Sequence, residues 1–172
     1  NGMSIRFDEN DARVMGRVAA GVKGIDLADD DRVVGLVRVM DGATLLTVTE
    51  NGYGKRTDMK EYLVHAEDGS TRSQSRGGKG RRDIRTTSRN GKVVSIRCMQ
   101  DGDSVILVSS TGMLVRIPGD SISQIGRNTS GVRLVNLKDG DSVVATAKVF
   151  ENEEQADEDG SDAVAAGDSG TA

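Results

Sequence analysis

The chain repeats itself, and the repetition constrains its fold more than any other property. The segments "NGMSIR" (1–6), "NGYGKR" (51–56) and "TGMLVR" (111–116) each place a glycine four positions before an arginine. Laying Asn1 on Thr111 extends the first match: Gly16-Arg17 falls on Gly126-Arg127, Gly21-Val22 on Gly131-Val132, Asp31 on Asp141, and Val33-Val34 on Val143-Val144. The repeated glycines are Gly2, Gly52 and Gly112, so the middle copy is the longest, and its extra residues lie between Tyr62 and Gly80. Repeats of this length are the mark of propellers and solenoids, whose units bury their apolar faces against neighbours.

Each copy reads as short strands. Turn-forming pairs recur at Asn1-Gly2, Asp41-Gly42, Asn51-Gly52, Asn90-Gly91, Asp101-Gly102 and Asp139-Gly140. Beside apolar alternation, such pairs signal hairpins. Between them lie the β-branched runs "ATLLTVT" (43–49), "VVSIRCM" (93–99), "SVILVSS" (104–110), "MLVRIP" (113–118), "GVRLVNL" (131–137) and "SVVATAKVF" (142–150). Runs of this kind suit a pleated, half-buried surface, and no helical period is sustained. The expectation is an all-β chain: a partial propeller-like array of four-stranded blades over residues 1–150, with units of about 1–40, 41–100 and 101–150. The chain opens on Asn inside a hairpin pattern, so it reads as a piece of something longer that exposes an unpaired strand edge.

The net charge of −4 hides a division. Residues 151–172 hold eight acids and no Lys or Arg, which leaves residues 1–150 with 19 acids against all 23 basic residues, a net +4. The tail is rich in Ala, Gly and Ser, with Val164 its only branched apolar residue. It cannot bury enough surface to offset its ordering entropy, and it reads as a disordered acidic segment.

Several functions are excluded. His65 is the only histidine, so neither a His-based triad nor a histidine zinc site can be assembled. Tyr53 lies at a repeated hairpin position, which marks it as a cross-strand packing residue rather than a nucleophile. No catalytic residue and no metal ligand is assigned. The single cysteine, Cys98, forbids an internal disulfide and reads as a small hydrophobe in a reducing compartment. No apolar stretch approaches the length of a membrane-spanning helix, so a cytoplasmic protein without membrane contact is expected. With aromatics at 2% and no Trp, there is no platform for stacking single-stranded bases.

What stands out is "QSRGGKGRRDIR" (74–85). From Arg72 to Arg97 nine Lys or Arg accompany one acid, Asp83. The stretch is not a phosphate-binding loop of the nucleotide-hydrolysing kind, because Lys79 is followed by Gly80 rather than Ser or Thr and leads towards a strand. A dinucleotide fingerprint fails for want of a βαβ unit. Anion binding remains: glycines let backbone N–H groups approach phosphate while Arg and Lys neutralise it. The expected partner is duplex DNA, contacted through its backbone with little regard to sequence. An acidic protein partner and RNA are the other anionic candidates.

These residues resemble a known family. "QSRGGKG" (74–80) is similar to the glutamine-arginine-arginine-glycine-glycine-lysine-glycine box of the DNA gyrase A subunit, with Ser75 in place of the first arginine. "ENGYGKRT" (50–57), "VMGR…GVKGI" (14–25), "IGRNTSGV" (125–132) and the acidic tail resemble late segments of that subunit's C-terminal domain. The resemblance implies a β-pinwheel whose basic rim bends duplex DNA, within a type II topoisomerase that introduces negative supercoils using ATP. It implies DNA contacts at Gln74, Arg76, Gly77, Gly78, Lys79 and Gly80. Arg81, Arg82 and Arg85 extend that set, with Arg17, Arg56 and Arg127 as further rim candidates. It also implies a homodimeric A subunit joined by B subunits in an A2B2 holoenzyme. ATP and magnesium are bound elsewhere in that assembly, and this piece has no cofactor and no catalysis of its own. The C-terminal domain of the topoisomerase IV A subunit, which shares the blades and serves decatenation, is the alternative. A protein-binding propeller piece is a further one.

Overall fold

Short strands form where β-branched residues lie between glycine turns. A computed structural model describes residues 1–150, and the acidic segment expected to be disordered, residues 151–172, lies outside the described residues. In chain order the strands are β1 (Met3–Ser4), β2 (Thr44–Thr49), β3 (Tyr53–Asp58), β4 (Val64–His65), β5 (Thr71–Arg72), β6 (Arg81–Arg82), β7 (Val93–Met99), β8 (Ser104–Ser109), β9 (Leu114–Pro118), β10 (Val132–Arg133) and β11 (Val143–Val149). Among the described residues, helical structure amounts to three 3-10 turns, at Glu9–Asp11, Met59–Tyr62 and Gly119–Ser121. No helix there is long and apolar enough to cross a membrane.

The strands make a four-stranded sheet in the order β10-β3-β2-β7, a three-stranded sheet β11-β8-β9, and two ribbons, β1-β6 and β4-β5. β2 is buried at all six positions. Successive strand residues face opposite ways, and here neighbouring copies cover both faces. Leu46 and Val48 join Met99, Val105, Leu107, Ile122 and Val143 in a core between the two large sheets. Leu45, on the other face, joins Met59 and Tyr62, with Val37, Ile96 and Cys98 packed alongside. Cys98 is thus half-buried against apolar neighbours.

The sheets do not follow the contiguous units of the sequence. β10 belongs by sequence to the third copy, yet it pairs with β3 of the second, Tyr53 opposite Arg133 and Gly54 opposite Val132. β6 of the second copy pairs with β1 of the first in the same register, Met3 opposite Arg82 and Ser4 opposite Arg81. The second and third copies therefore each lend a two-residue strand to the copy before. The pairing is short because the next two amides converge on one oxygen. The N–H groups of Leu134 and Val135 both donate to the Gly52 carbonyl, at 2.8 and 3.3 Å, and those of Asp83 and Ile84 both donate to the Gly2 carbonyl, at 2.9 and 3.4 Å. This turns the chain inward. The run 131–137, expected as one long strand, is consequently strand only at Val132–Arg133, and Leu134, Val135 and Leu137 pack on the core.

The turn glycines behave as their sequence demands in conformation but not always in role. Gly2, Gly42, Gly52, Gly91, Gly102 and Gly140 all have positive φ. Asn51-Gly52 joins two strands that pair, β2 and β3. Asp101-Gly102 instead carries the chain from β7 into a different sheet at β8. The first copy contributes only β1, and residues 12–43 contain no strand. β9 meets no strand on its second side among the described residues.

Candidate nucleic-acid interface

The glycine-rich loop 74–80 is held by backbone bonds on both flanks. The Gln74 N–H donates to the Arg6 carbonyl at 2.9 Å, the Gly77 N–H to that of Gly24 at 2.8 Å, and the Asp26 N–H to that of Gly78 at 2.9 Å. Gly80 has φ +73°, and a Cβ there would stand 2.2 Å from the Ser4 carbonyl oxygen. Only glycine lets the chain leave the loop and enter β6 so close to β1. Gly77 also has positive φ, whereas a Cβ on Gly78 would find its nearest atom 3.7 Å away.

Laying Gln74 on Ile125 aligns this loop with 125–131, "IGRNTSG", and the contacts match. The Ile125 N–H donates to the Arg56 carbonyl at 2.9 Å, as Gln74 does to Arg6. Gly131 has φ +75° and approaches the Gly54 carbonyl as Gly80 approaches that of Ser4. The box is thus a charged version of a loop present in neighbouring copies, an equivalence that sequence comparison draws only between 16–22 and 126–132. The residues that lengthen the middle copy lie ahead of the box, around the exposed β4-β5 hairpin, and not within it.

The expected contact residues divide by what their side chains already do. Arg76 turns back on the first copy: Nε donates to the Asp11 carbonyl at 2.9 Å and Nη1 to that of Lys23. Arg127, its counterpart, donates through Nη1 to the Arg82 carbonyl at 3.2 Å and lies 3.9 Å from Glu61. Both fasten a loop to the preceding copy. Arg56 is 9% exposed, with Nε on the Ile122 carbonyl at 3.1 Å and Nη1 3.4 Å from Asp120. It faces the protein rather than solvent. Gln74 is half-buried, and its Nε2 has no hydrogen-bond partner. Lys79, Arg82 and Arg85 are exposed and Arg81 is half-buried, and no described residue hydrogen-bonds or ion-pairs with their charged ends. Arg17 is likewise exposed.

Asp83, the one acid in the stretch, faces inward. Its carboxylate accepts from Tyr62 Oη at 2.5 Å, Thr47 Oγ1 at 2.6 Å and Lys55 Nζ at 3.2 Å. Lys55 is fully buried and also reaches Thr57 Oγ1 at 2.7 Å and the Gly126 carbonyl at 3.1 Å. One buried network therefore joins β6, the four-stranded sheet and the next copy's loop. Burial lowers the Lys55 ammonium's pKa, and the adjacent Asp83 charge opposes that shift. Burial, reinforced by Asp83, pushes the Tyr62 phenol far above its usual range. Neither residue is visible in sequence as part of the loop's support, since nothing in "NGYGKRT" distinguishes a buried lysine from a solvated one.

Sheets closed by strands from the next copy, with a glycine loop at each crossing and a basic surface on one of them, define a propeller-like β-pinwheel. The sequence matches the family described as DNA gyrase C-terminal domain, beta-propeller, over residues 1–40, 43–65, 72–98 and 103–149, and the chain belongs to that family. It is 46% identical over 146 residues to the DNA gyrase A subunit of Haloquadratum walsbyi, covering 84% of this chain and 16% of that protein. It is 41% identical over 150 residues to that of Klebsiella oxytoca, covering 87% and 16%. The chain thus spans about one-sixth of the curated relatives it matches. Among solved structures, a DNA gyrase A C-terminal domain superposes with TM-score 0.75 at 29% identity, over 87% of this chain and 48% of that one. A DNA topoisomerase IV C-terminal domain superposes at 0.77 with 22% identity, over 92% and 49%, a likeness of fold alone.

Proposed function

We propose that this chain is a late part of the C-terminal domain of a gyrase A subunit, that its units 1–40, 41–100 and 101–150 act as successive blades, and that it binds duplex DNA through backbone phosphates and bends it. One observation carries the reading. Arg81, Arg82 and Arg85 have no described hydrogen-bond or ion-pair partner at their charged ends, Lys79 has only a longer-range attraction to Asp26, and all four lie on or just beyond a loop whose backbone is fixed from both sides. A held backbone spares the loop's ordering cost and leaves only that of the side chains, and contacts to phosphate position DNA without reading it. Arg76 and Arg127 hold the loops and Gly77 and Gly80 shape the first of them, so these act by placing the charges. Bending a site of 20–30 bp costs on the order of 1–6 kcal/mol, which several such contacts offset.

In the parent enzyme the bent segment is delivered to the strand-passage core of an A2B2 assembly in the cytoplasm, where the B subunits use ATP and magnesium to drive negative supercoiling. Identities of 41–46% to gyrase A subunits favour this over decatenation by topoisomerase IV. The test is duplex binding by the full chain across a salt series, with ring closure of short linear duplexes in its presence to read bending. With about five phosphates neutralised, log K falls against log salt with a slope near −4 to −5. Lys79→Ala/Arg82→Ala/Arg85→Ala flattens the slope by about 3. Binding that ignores salt, or an unchanged slope in the triple variant, overturns the reading.

A further inference from the structure

Away from the box, Arg89 and Arg133 converge on Tyr53. Arg89 Nε donates to the phenol oxygen at 3.1 Å and Arg133 Nη2 at 2.9 Å. Their guanidinium carbons stand 5.0 and 5.4 Å from the ring centroid. Tyr53 is 4% exposed, while both arginines are exposed. Arg133 has one further contact, Nη1 to Asn136 Oδ1 at 3.0 Å, and no described carboxylate pairs with either guanidinium. Asp141, on the same cleft, is already committed to Ser110 Oγ at 2.7 Å, Thr111 Oγ1 at 2.8 Å and the Ser142 N–H at 2.8 Å. Two like charges gathered at one neutral oxygen repel each other, and an anion bridging their free N–H groups relieves that repulsion. Planar guanidiniums with parallel donors suit a phosphate's oxygens.

The position fits the source of that phosphate. Arg133 stands opposite Tyr53 in β10 as Arg82 stands opposite Met3 in β6. The site is therefore the next copy's equivalent of the box strand, and Arg127 bridges the two by its bond to the Arg82 carbonyl. We propose that Arg89 and Arg133, seated on Tyr53, form a second phosphate-binding site that grips the DNA backbone one copy beyond the box. The proposal rests on the duplex-binding reading above.

The full chain is titrated with a short labelled duplex across a potassium chloride series, alongside Arg89→Gln/Arg133→Gln and the charge-retaining Arg89→Lys/Arg133→Lys. The Gln pair flattens the salt slope by about 2 and the Lys pair restores most of it, with both variants retaining the parent's circular dichroism. Combined with the Lys79→Ala/Arg82→Ala/Arg85→Ala box variant, the reductions in slope add. An unchanged slope in the folded Gln pair overturns the site. Inorganic pyrophosphate, followed by the ring signals of Tyr53, separates the two readings. Saturable shifts in wild type but not in the Gln pair are expected. If those shifts occur but the wild type binds no duplex, the site takes free phosphates, and its assignment to DNA falls together with the duplex reading. If duplex binds but neither the pyrophosphate shifts nor the slope change is seen, the site alone falls.

Discussion

Loops 74–80 and 125–131 share a backbone and an anchoring arginine, Arg76 or Arg127, and differ in the residues that follow it. Their opening amides bond to equivalent arginine carbonyls, and their closing glycines approach equivalent strands. Yet the first carries Gly77, Gly78 and Lys79 where the second has Asn128, Thr129 and Ser130. The first then sends the buried acid Asp83 inward where the second sends Leu134. Placement belongs to the repeat, whereas charge belongs to the individual copy. The same hydrogen bonds can present a basic surface or a nearly neutral one.

The largest break in that comparison is expected at the buried ion pair. Asp83→Ala strands Lys55 without its counter-charge and should cost about 3–5 kcal/mol, read by chemical denaturation. Lys55→Val/Asp83→Leu writes the third copy's Val115 and Leu134 into the second. It should recover part of that loss, because well-packed apolar pairs often match buried ion pairs whereas the buried Tyr62 and Thr47 hydroxyls lose their acceptor. If the double variant is no better than the single, the two loops are not interchangeable in their support.

Next in size is Gly80→Ala, which forces a left-handed residue into the Ser4 carbonyl. A loss of about 2–4 kcal/mol is expected, with weakened amide-exchange protection at β1 and β6. Its counterpart Gly131→Ala, where a Cβ would stand 2.8 Å from the Gly54 carbonyl, should behave alike at β3 and β10.

The two tyrosines extend the contrast to pH, Tyr62 reporting on Asp83 and Tyr53 on Arg133. Hydrogen bonds from Arg89, then Arg133, lower the Tyr53 pKa from 10.0, while burial raises that of Tyr62. Absorbance titration of the folded chain should show one phenol ionising below the ordinary value and the second only on unfolding. The signs oppose. Tyr53 favours the folded state increasingly as pH rises towards 10.0 from its own lower pKa, whereas the contribution of Tyr62, full below 10.0, is lost as pH climbs beyond it. Two phenols titrating together would remove the distinction.

A smaller gain tests whether charge alone separates the loops. Asn128→Gly/Thr129→Gly/Ser130→Lys copies the box into the third unit and should steepen the salt slope by about 1. Smallest of all, Gly78→Ala meets nothing closer than 3.7 Å and should change stability by less than about 0.5 kcal/mol.

Sequence makes part of this legible. The run 93–99 is strand from end to end, and the six turn glycines all take positive φ, because local sterics decide both. The exchange of strands is not legible. Two residues carry no period, so β6 leaves no local trace and β10 is legible only within the longer run 131–137, and in neither case does the sequence show the partner, which lies in another copy. For the same reason Arg56 reads as a rim residue, since its hairpin position is visible in sequence but its inward contacts to Ile122 and Asp120 are not. Arg89 and Arg133 escape a reading of the basic loop alone, although a signal exists for the second. Laying the box on 125–131 puts Arg82 over Arg133, and over Lys23 in the first copy, a basic position kept in all three.

The borrowed strand has a consequence for how such arrays grow and shrink. Because the first and second copies are each completed by a strand from the copy that follows, a duplication or deletion leaves the architecture whole whenever the crossover joins matching points of two copies, whatever lies between them. The incoming two residues need only bring a glycine and two amides that reach the preceding turn. Inheritance can therefore add, remove or discharge a copy without redesigning its neighbours, and the strength of grip on a polyanion becomes a matter of how many copies keep their arginines.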